Sequence, residues 1–108
     1  MSDYALHGYV MGFEKLTVGT AVATMTAGSL APSGTPPPTG ALITVVCVNE
    51  GINFRCDGGN PGSPAGSGHY VAGSSSAFID GINSLKQFKA VRTGTADASV
   101  AVSYVNKF

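Results

Sequence analysis

The sequence has 108 residues, of which 44% are hydrophobic and only 11% are charged, and its six basic and six acidic side chains give a formal net charge of zero. This length suits one hydrophobic core and therefore one domain. The low, balanced and scattered charge argues against binding to nucleic acid. It favours association with other protein surfaces, because net charge near zero lets molecules approach one another.

Residues 1–12 form a predicted N-terminal arm. Its apolar or amphipathic side chains have no evident partner strand and include Tyr4, Leu6, Tyr9, Val10 and Met11. Two interpretations stand: the arm covers a neighbouring subunit, or it is an edge strand or frayed terminus. The arm lacks the basic and apolar regions of a secretion signal, and no stretch reaches the roughly 18 apolar residues that span a bilayer. We therefore expect synthesis in the cytosol and no membrane partner.

The first half of the chain is predicted to contain strands, because short apolar segments with period-two alternation are separated by Gly, Pro, Ser and Thr. Residues 13–18 and 21–25 are one strand interrupted at Gly19, or two short strands. Residues 29–40 contain three consecutive prolines and are predicted to be an extended connector. Residues 41–48 are apolar at nearly every position, which predicts a central strand covered on both faces.

The second half continues the strand pattern. Residues 52–56 alternate, with Ile52, Phe54 and Cys56 predicted to face the core and Asn53 and Arg55 the solvent. A turn at residues 49–51 is predicted to join this strand to 41–48 as a hairpin. Further strands are predicted at residues 69–72, 77–80, 85–92 and 99–105, the last two paired as a second hairpin. Residues 57–68, rich in Gly and Pro, are predicted to form a long exposed loop.

These elements predict an all-β domain over residues 1–108, with about seven to eight strands and no helix longer than one turn. The architecture that fits is a small antiparallel β-sandwich or a jelly-roll-like barrel.

The chemistry-bearing residues do not form a recognisable catalytic or metal-binding constellation. In the predicted hairpin, Cys56 lies roughly 10 Å beyond the position opposite Cys47, since strands rise about 3.3 Å per residue. A disulfide tolerates a Cα separation of about 7 Å, so we expect free thiols. Asp57 is predicted to form an Asx turn, because its loop offers no second carboxylate for calcium. We expect no enzymatic activity and no cofactor.

Several motifs resemble a family of small structural proteins of tailed-bacteriophage virions. They are the run INFRCDGGNP at residues 52–61, the later strand with Phe88, the closing VAVSY at residues 100–104, and GFEKLTV at residues 12–18. The resemblance covers most of the chain and implies a small β-sandwich built into a phage particle, without enzymatic activity. The chain departs from the family pattern at Cys56, where a polar or charged residue is common, and in its proline-rich connector.

We therefore expect a virion protein that decorates or cements the capsid, assembled in multiple copies and contacting the major capsid protein or other virion proteins. A position at the neck or tail is the alternative within the particle. A different class is a ligand- or carbohydrate-binding module that uses the loop residues Asn60, His69 and Tyr70. The candidate contact residues for assembly are those of the arm, Tyr4, Leu6, Tyr9 and Met11, and the terminal Phe108.

Overall fold

The computed structural model describes residues 8–31, 34, 36–46, 50–62 and 68–107, without the side chains of residues 8, 9 and 107. Over these residues the chain forms seven strands and two short helices. In chain order they are β1 (Gly8–Val18), α1 (Ala27–Leu30), β2 (Gly40–Val45), β3 (Ile52–Arg55), β4 (His69–Val71), β5 (Ser76–Asp80), α2 (Ile82–Lys86), β6 (Lys89–Arg92) and β7 (Ala98–Lys107).

The strands form two antiparallel sheets. One has four strands in the order β1-β7-β2-β5, and the other has three in the order β4-β3-β6. Two antiparallel sheets that share one core form a β-sandwich, so the predicted all-β class is confirmed in this form. Helices of four and five residues fit the expectation that no long helix is present in the described part of the chain.

The core lies between the sheets and follows the period of two that a strand imposes. In β2 the buried side chains are Ala41, Ile43 and Val45, and in β7 they are Val100, Val102 and Tyr104. The second sheet contributes Ile52, Val71 and Ala90. As predicted, β2 is a central strand, because it pairs with β7 on one side and β5 on the other. The predicted cover on both faces is wrong, because Leu42 and Thr44 on its outer face are only half-buried.

Both predicted hairpins are wrong. Strands β2 and β3 lie in different sheets, and so do β6 and β7. The connections cross between the two layers, which lets neighbouring segments pack face to face across the core instead of pairing edge to edge. The link between β6 and β7 is held by an ion pair in which Arg92 Nη1 lies 2.8 Å from Asp97 Oδ1.

One side of the sandwich, between β1 and β6, is closed by the segment that follows β1. The predicted strand over residues 21–25 is reduced to a single bridge between Ala23 and Ala90. Beyond it, Met25 and Leu30 insert into the core, where each is less than 10% exposed. The predicted connector over residues 29–40 thus begins inside α1.

Two further boundaries differ from the predictions. The predicted strand over residues 85–92 begins only at Lys89, because residues 82–86 form α2 and turn the apolar Leu85 into the core. The last five residues of the predicted arm, 8–12, belong to β1, which pairs with β7. For these residues the edge-strand interpretation of the arm is confirmed. The register of β1 shifts between Val10 and Gly12, so a β-bulge lies at Met11.

Helices that could cross a bilayer are absent from the described residues.

Candidate functional site

The outer face of the four-stranded sheet carries a continuous row of side chains that crosses all four strands. The pairing places Phe13 of β1 opposite Ser103 of β7, Ser103 opposite Leu42 of β2, and Leu42 opposite Phe78 of β5. Directly opposed residues share a face of a sheet, and neighbouring strands lie about 4.8 Å apart, so the row is about 14 Å long. We call these four residues the aromatic row.

The aromatic row begins and ends at the free edges of the sheet. Phe13, on the edge strand β1, is 66% exposed, and Phe78 on the opposite edge strand is half-buried. The ring of Phe78 lies over Gly40, where an added Cβ would come within 2.7 Å of its Cζ atom. Glycine at position 40 therefore lets the ring lie flat against the sheet.

The rest of this outer face carries mostly small side chains and few charges. The half-buried or exposed side chains beside the row are Thr17, Thr44, Ser76, Ser99 and Ala101. Among the described side chains of this face, Lys15 on β1 and Asp80 on β5 carry the only charges. Such a face loses little hydration when another protein covers it, because few charges need to be desolvated.

A second surface that the described residues leave open is a groove between the edge strands β4 and β5, with a volume of about 1090 Å³. Its lining includes the inward-facing side chains of both sheets, namely Phe54, Cys56, His69, Val71, Ala77 and Ile79. The rings of Phe54 and His69 have centroids 5.5 Å apart, and Phe54 lies 5.6 Å from Phe88 in the core. The groove is thus an opening into the apolar interior of the sandwich, on the side opposite the segment with Met25 and Leu30.

The rim of the groove carries an ion pair that leaves it electrically neutral. Arg55 Nη2 lies 2.6 Å from Asp57 Oδ2, and Arg55 Nε donates to Asp57 Oδ1 at 3.0 Å. The backbone N–H of Gly59 donates to the same Oδ1 at 3.1 Å, which confirms the predicted Asx turn. The hydrogen bonds from Arg55 and Gly59 lower the pKa of Asp57 to about 2. With its two charges paired, the rim does not select for an ionic ligand.

Cys56 is a free thiol at this groove, as predicted. Burial and the neighbouring charge of Asp57 both raise its pKa, so the thiol stays protonated near neutral pH and is a poor nucleophile. The second predicted free thiol, Cys47, lies outside the described residues.

Asn53 points away from the core as predicted, but its predicted exposure to solvent is wrong. Its side chain is 2% exposed, and its amide Nδ2 donates to the carbonyl oxygen of Gly62 at 2.8 Å. Residues 61 and 62 of the predicted exposed loop therefore cover the outer face of the three-stranded sheet, and Pro61 is itself buried.

The three predicted ligand-binding residues do not converge on one site. His69 lines the groove beside Phe54, whereas Tyr70, the next residue of β4, lies over Gly51 and pairs with Asn53 on the other face. Asn60 is exposed in the loop. His69 and Tyr70 both border the groove, but neighbouring residues of a strand point to opposite faces, so their side chains do not lie side by side.

The predicted assembly residues are only partly described. Met11 is half-buried and packs against the core, which leaves little of it for a partner. Tyr9 lies in β1 opposite Asn106, with its side chain outside the description. Tyr4, Leu6 and Phe108 lie outside the described residues. The sequence reasoning missed Phe13, Leu42 and Phe78 as surface residues, because only the strand register brings these separate segments into one row.

Titratable side chains in the described residues do not gather into a group of three or more that could hold a metal ion. Comparison with protein-family models, with curated proteins and with solved structures found no match for this chain.

Proposed function

We propose that this chain is a non-enzymatic structural component of a bacteriophage particle, and that it decorates or cements the capsid. The observation that carries the proposal is the outer face of the four-stranded sheet, which is poor in charge and carries the aromatic row. A free monomer gains nothing from exposing Phe13 at 66%, whereas a partner surface that covered it would remove a large aromatic side chain from water.

Two features of the sequence support a virion partner over an enzymatic role. The chain resembles small virion proteins in its motifs at residues 12–18, 52–61 and 100–104. Its surface is also poor in charge, with 11% charged residues overall, which suits permanent burial in an assembly. A tail or neck accessory role uses the same surface, and electron microscopy of labelled particles distinguishes these positions.

The test uses particles of the virus that encodes the chain, produced with its gene interrupted. Purified protein is mixed with these particles, and bound copies are counted after sedimentation. We expect saturable binding at many copies per particle and a rise in the temperature at which the heads rupture. Complete particles of unchanged heat stability that bind none of the added protein would contradict the proposal.

A matched pair of variants locates the contact. Ser103→Lys places a charge in the middle of the aromatic row, between Phe13 and Leu42. Thr95→Lys adds the same charge in the exposed loop between β6 and β7. We expect the first variant to lose particle binding and the second to retain it, while both unfold at similar urea concentrations.

The groove between β4 and β5 favours one second candidate, a module that binds a neutral ligand such as a carbohydrate. Aromatic side chains and hydroxyl groups at the groove, including Phe54, His69 and Ser75, are the kind that contact sugars. A glycan array with the wild-type protein and with His69→Ala tests this role. An array without a bound glycan would remove it.

A further inference from the structure

We propose that copies of this chain associate head to tail, with the β1 edge of one copy seated in the groove beside β5 of the next copy. The inference rests on the proposed multi-copy role and deepens it by naming the occupant of the groove. It is tested on the purified chain alone, so its failure and the failure of the virion proposal are distinguishable.

The directions of the two edge strands allow one copy to pair with the next. In the order β1-β7-β2-β5, every neighbouring pair is antiparallel, so β1 and β5 run in opposite directions at the two edges. A second copy placed alongside in the same orientation therefore presents its β1 antiparallel to β5 of the first. Repeating one such contact is a heterologous association, which generates rings when the rotation closes.

The aromatic row would continue from one copy into the next. It starts at Phe13 on one edge and ends at Phe78 on the other, at the same level of the sheet. In-register docking brings Phe13 of one copy beside Phe78 of the next and continues the row across the boundary. An aromatic pair across neighbouring strands is a favourable contact that also covers the most exposed described hydrophobic side chain of the chain.

The groove lies beside β5, the strand that would receive the next copy. On the β1 side the core is closed by Met25 and Leu30, whereas on the β5 side the inward-facing Ala77 and Ile79 border the open groove. The inner face of β1 carries Leu16, which is only half-buried and packs against its own core. In-register docking places Leu16 at the level of Ser75, at the end of the groove, and Glu14 at the level of Ala77. The Glu14 carboxylate keeps its hydrogen bonds to Tyr104 and Thr26 within its own copy.

A symmetric pairing of β1 with β1 is the competing arrangement for a second copy. When two β1 strands pair antiparallel about a two-fold axis, the residue at the centre of the pairing faces its own copy. A pairing centred on Glu14 or on Lys15 therefore brings two like charges together. Pairing centred on Phe13 avoids this repulsion but leaves the groove uncovered. The two arrangements differ in whether β5 takes part, and the experiment turns on that difference.

The first measurement is the molar mass of the purified chain by sedimentation velocity across concentration, with Phe13→Glu and Thr17→Glu as a matched pair. Both residues are exposed on the same face of β1. Thr17 opposes Ser99, two residues beyond the level of Ser76, where β5 begins, so it lies outside the proposed contact. We expect Phe13→Glu to weaken association at least about tenfold, as for an aromatic anchor of an interface, and Thr17→Glu to associate like the wild type.

The second measurement identifies β5 as the acceptor. In-register docking places Lys15 of one copy next to Ser76 of the other, because both occupy the level of Ala101 and Thr44. We expect Ser76→Glu to strengthen association and Ser76→Lys to weaken it by about two- to fivefold each, the range for exposed charge pairs. Adding Lys15→Glu to Ser76→Lys recreates an opposite-charge pair, so association should rise above the wild-type level, as with Ser76→Glu alone.

The outcomes separate the arrangements. Association that follows the sign of the charge at position 76 supports the head-to-tail contact. Association that depends on Phe13 but ignores position 76 overturns it in favour of the β1–β1 pair. A chain that stays monomeric at all concentrations also overturns it, while the particle-binding test of the proposed function keeps its own outcome.

Discussion

The carboxylate of Glu14 on β1 accepts a short hydrogen bond from the hydroxyl of Tyr104 on β7, although the two residues are not opposite each other in the sheet. Tyr104 opposes Gly12, and Glu14 opposes Val102. The Tyr104 ring passes Gly12, where an added Cβ would lie 3.9 Å from its Cδ2 atom, and reaches Glu14 diagonally.

Glu14 also binds the segment that closes the core. The hydroxyl of Thr26 donates to Oε1 at 2.5 Å, and the backbone N–H of Thr26 donates to Oε2 at 3.3 Å. One carboxylate therefore ties the edge strand β1 to β7 and to the chain entering α1. It holds in place both the strand with Phe13 and the segment that buries Met25 and Leu30.

Removing the hydroxyl of Tyr104 tests this tie. Tyr104→Phe keeps the buried ring and deletes one hydrogen bond to a charged group, so we expect the free energy of unfolding to fall by about 1.5–3 kcal/mol. Tyr70→Phe is the control, because Tyr70 is 63% exposed and should change stability by less than about 0.5 kcal/mol. Urea unfolding at pH 7 measures both. Equal stability of the two variants would show that the Tyr104 hydroxyl contributes nothing.

The same carboxylate makes stability depend on acid pH. Burial alone would raise the pKa of Glu14, but the hydrogen bonds from Thr26 and Tyr104 outweigh it and lower the pKa below 4.5, the usual value for glutamate. A lowered folded-state pKa gives stability that is fully present above the unfolded-state value and is lost as pH falls through the folded-state value. We therefore expect stability to decline below about pH 4.5.

Glu14→Gln isolates this contribution from that of Asp57, whose lowered pKa acts in the same direction. We expect the variant to be less stable than the wild type at pH 7, with the difference shrinking as the pH approaches 3. Urea unfolding at several pH values between 3 and 7 provides the curve. A difference that stays constant with pH would assign the cost of the substitution to packing instead of charge.

Much of the fold follows from the period of two. The alternation at residues 100–104 predicts the buried face of β7, because successive side chains of a strand point to opposite faces. Residues 41–48 are apolar at nearly every position, so their pattern predicts a strand but does not select its buried face. Strand pairing does not follow from it. The hairpin predicted between residues 41–48 and 52–56 assumed that chain neighbours pair, yet both segments have an apolar face, and packing those faces across the core buries them equally well.

The surfaces are less predictable than the core. Asn53 occupies an outward position in the alternation, and only the return of the loop at Pro61 and Gly62 buries its amide. The aromatic row joins residues 13, 42 and 78, and their adjacency exists only in the strand register. The groove exists because β4 and β5 are edge strands of the two sheets. The residue pattern of a single strand does not show whether it lies at an edge. Composition could predict an associating surface, but not which strands supply it.

Glycine at position 51 is required by the close approach of β4. A Cβ added there would lie 2.8 Å from the carbonyl oxygen of Val71 and from the Tyr70 ring. The ring can move, but the backbone oxygen is fixed by the pairing of β4 with β3, so we expect Gly51→Ala to cost about 1–3 kcal/mol. Gly28→Ala is the control, because Gly28 lies in α1 and has no neighbouring atom within 4 Å of an added Cβ.

The control should be neutral or slightly stabilising, since alanine restricts the unfolded chain and favours the helix. Thermal unfolding of the two variants beside the wild type measures the contrast. If Gly51→Ala unfolded at the wild-type temperature, the close contact between β3 and β4 would not limit this position.

The thiol of Cys56 reports on the groove. Burial first, and then the charge of Asp57, raise its pKa above the usual value for cysteine. Only the thiolate reacts with an alkylating agent, so we expect Cys56 in the folded protein to react more slowly at pH 7.5 than in the urea-unfolded chain. The measurement uses iodoacetamide on a Cys47→Ser background, so that a single thiol is followed by mass spectrometry.

The alkylation rate of Cys56 should keep rising beyond pH 9, because the thiolate population has not saturated there. Equal rates in the folded and unfolded chain would mean that the groove neither shields the thiol nor shifts its pKa.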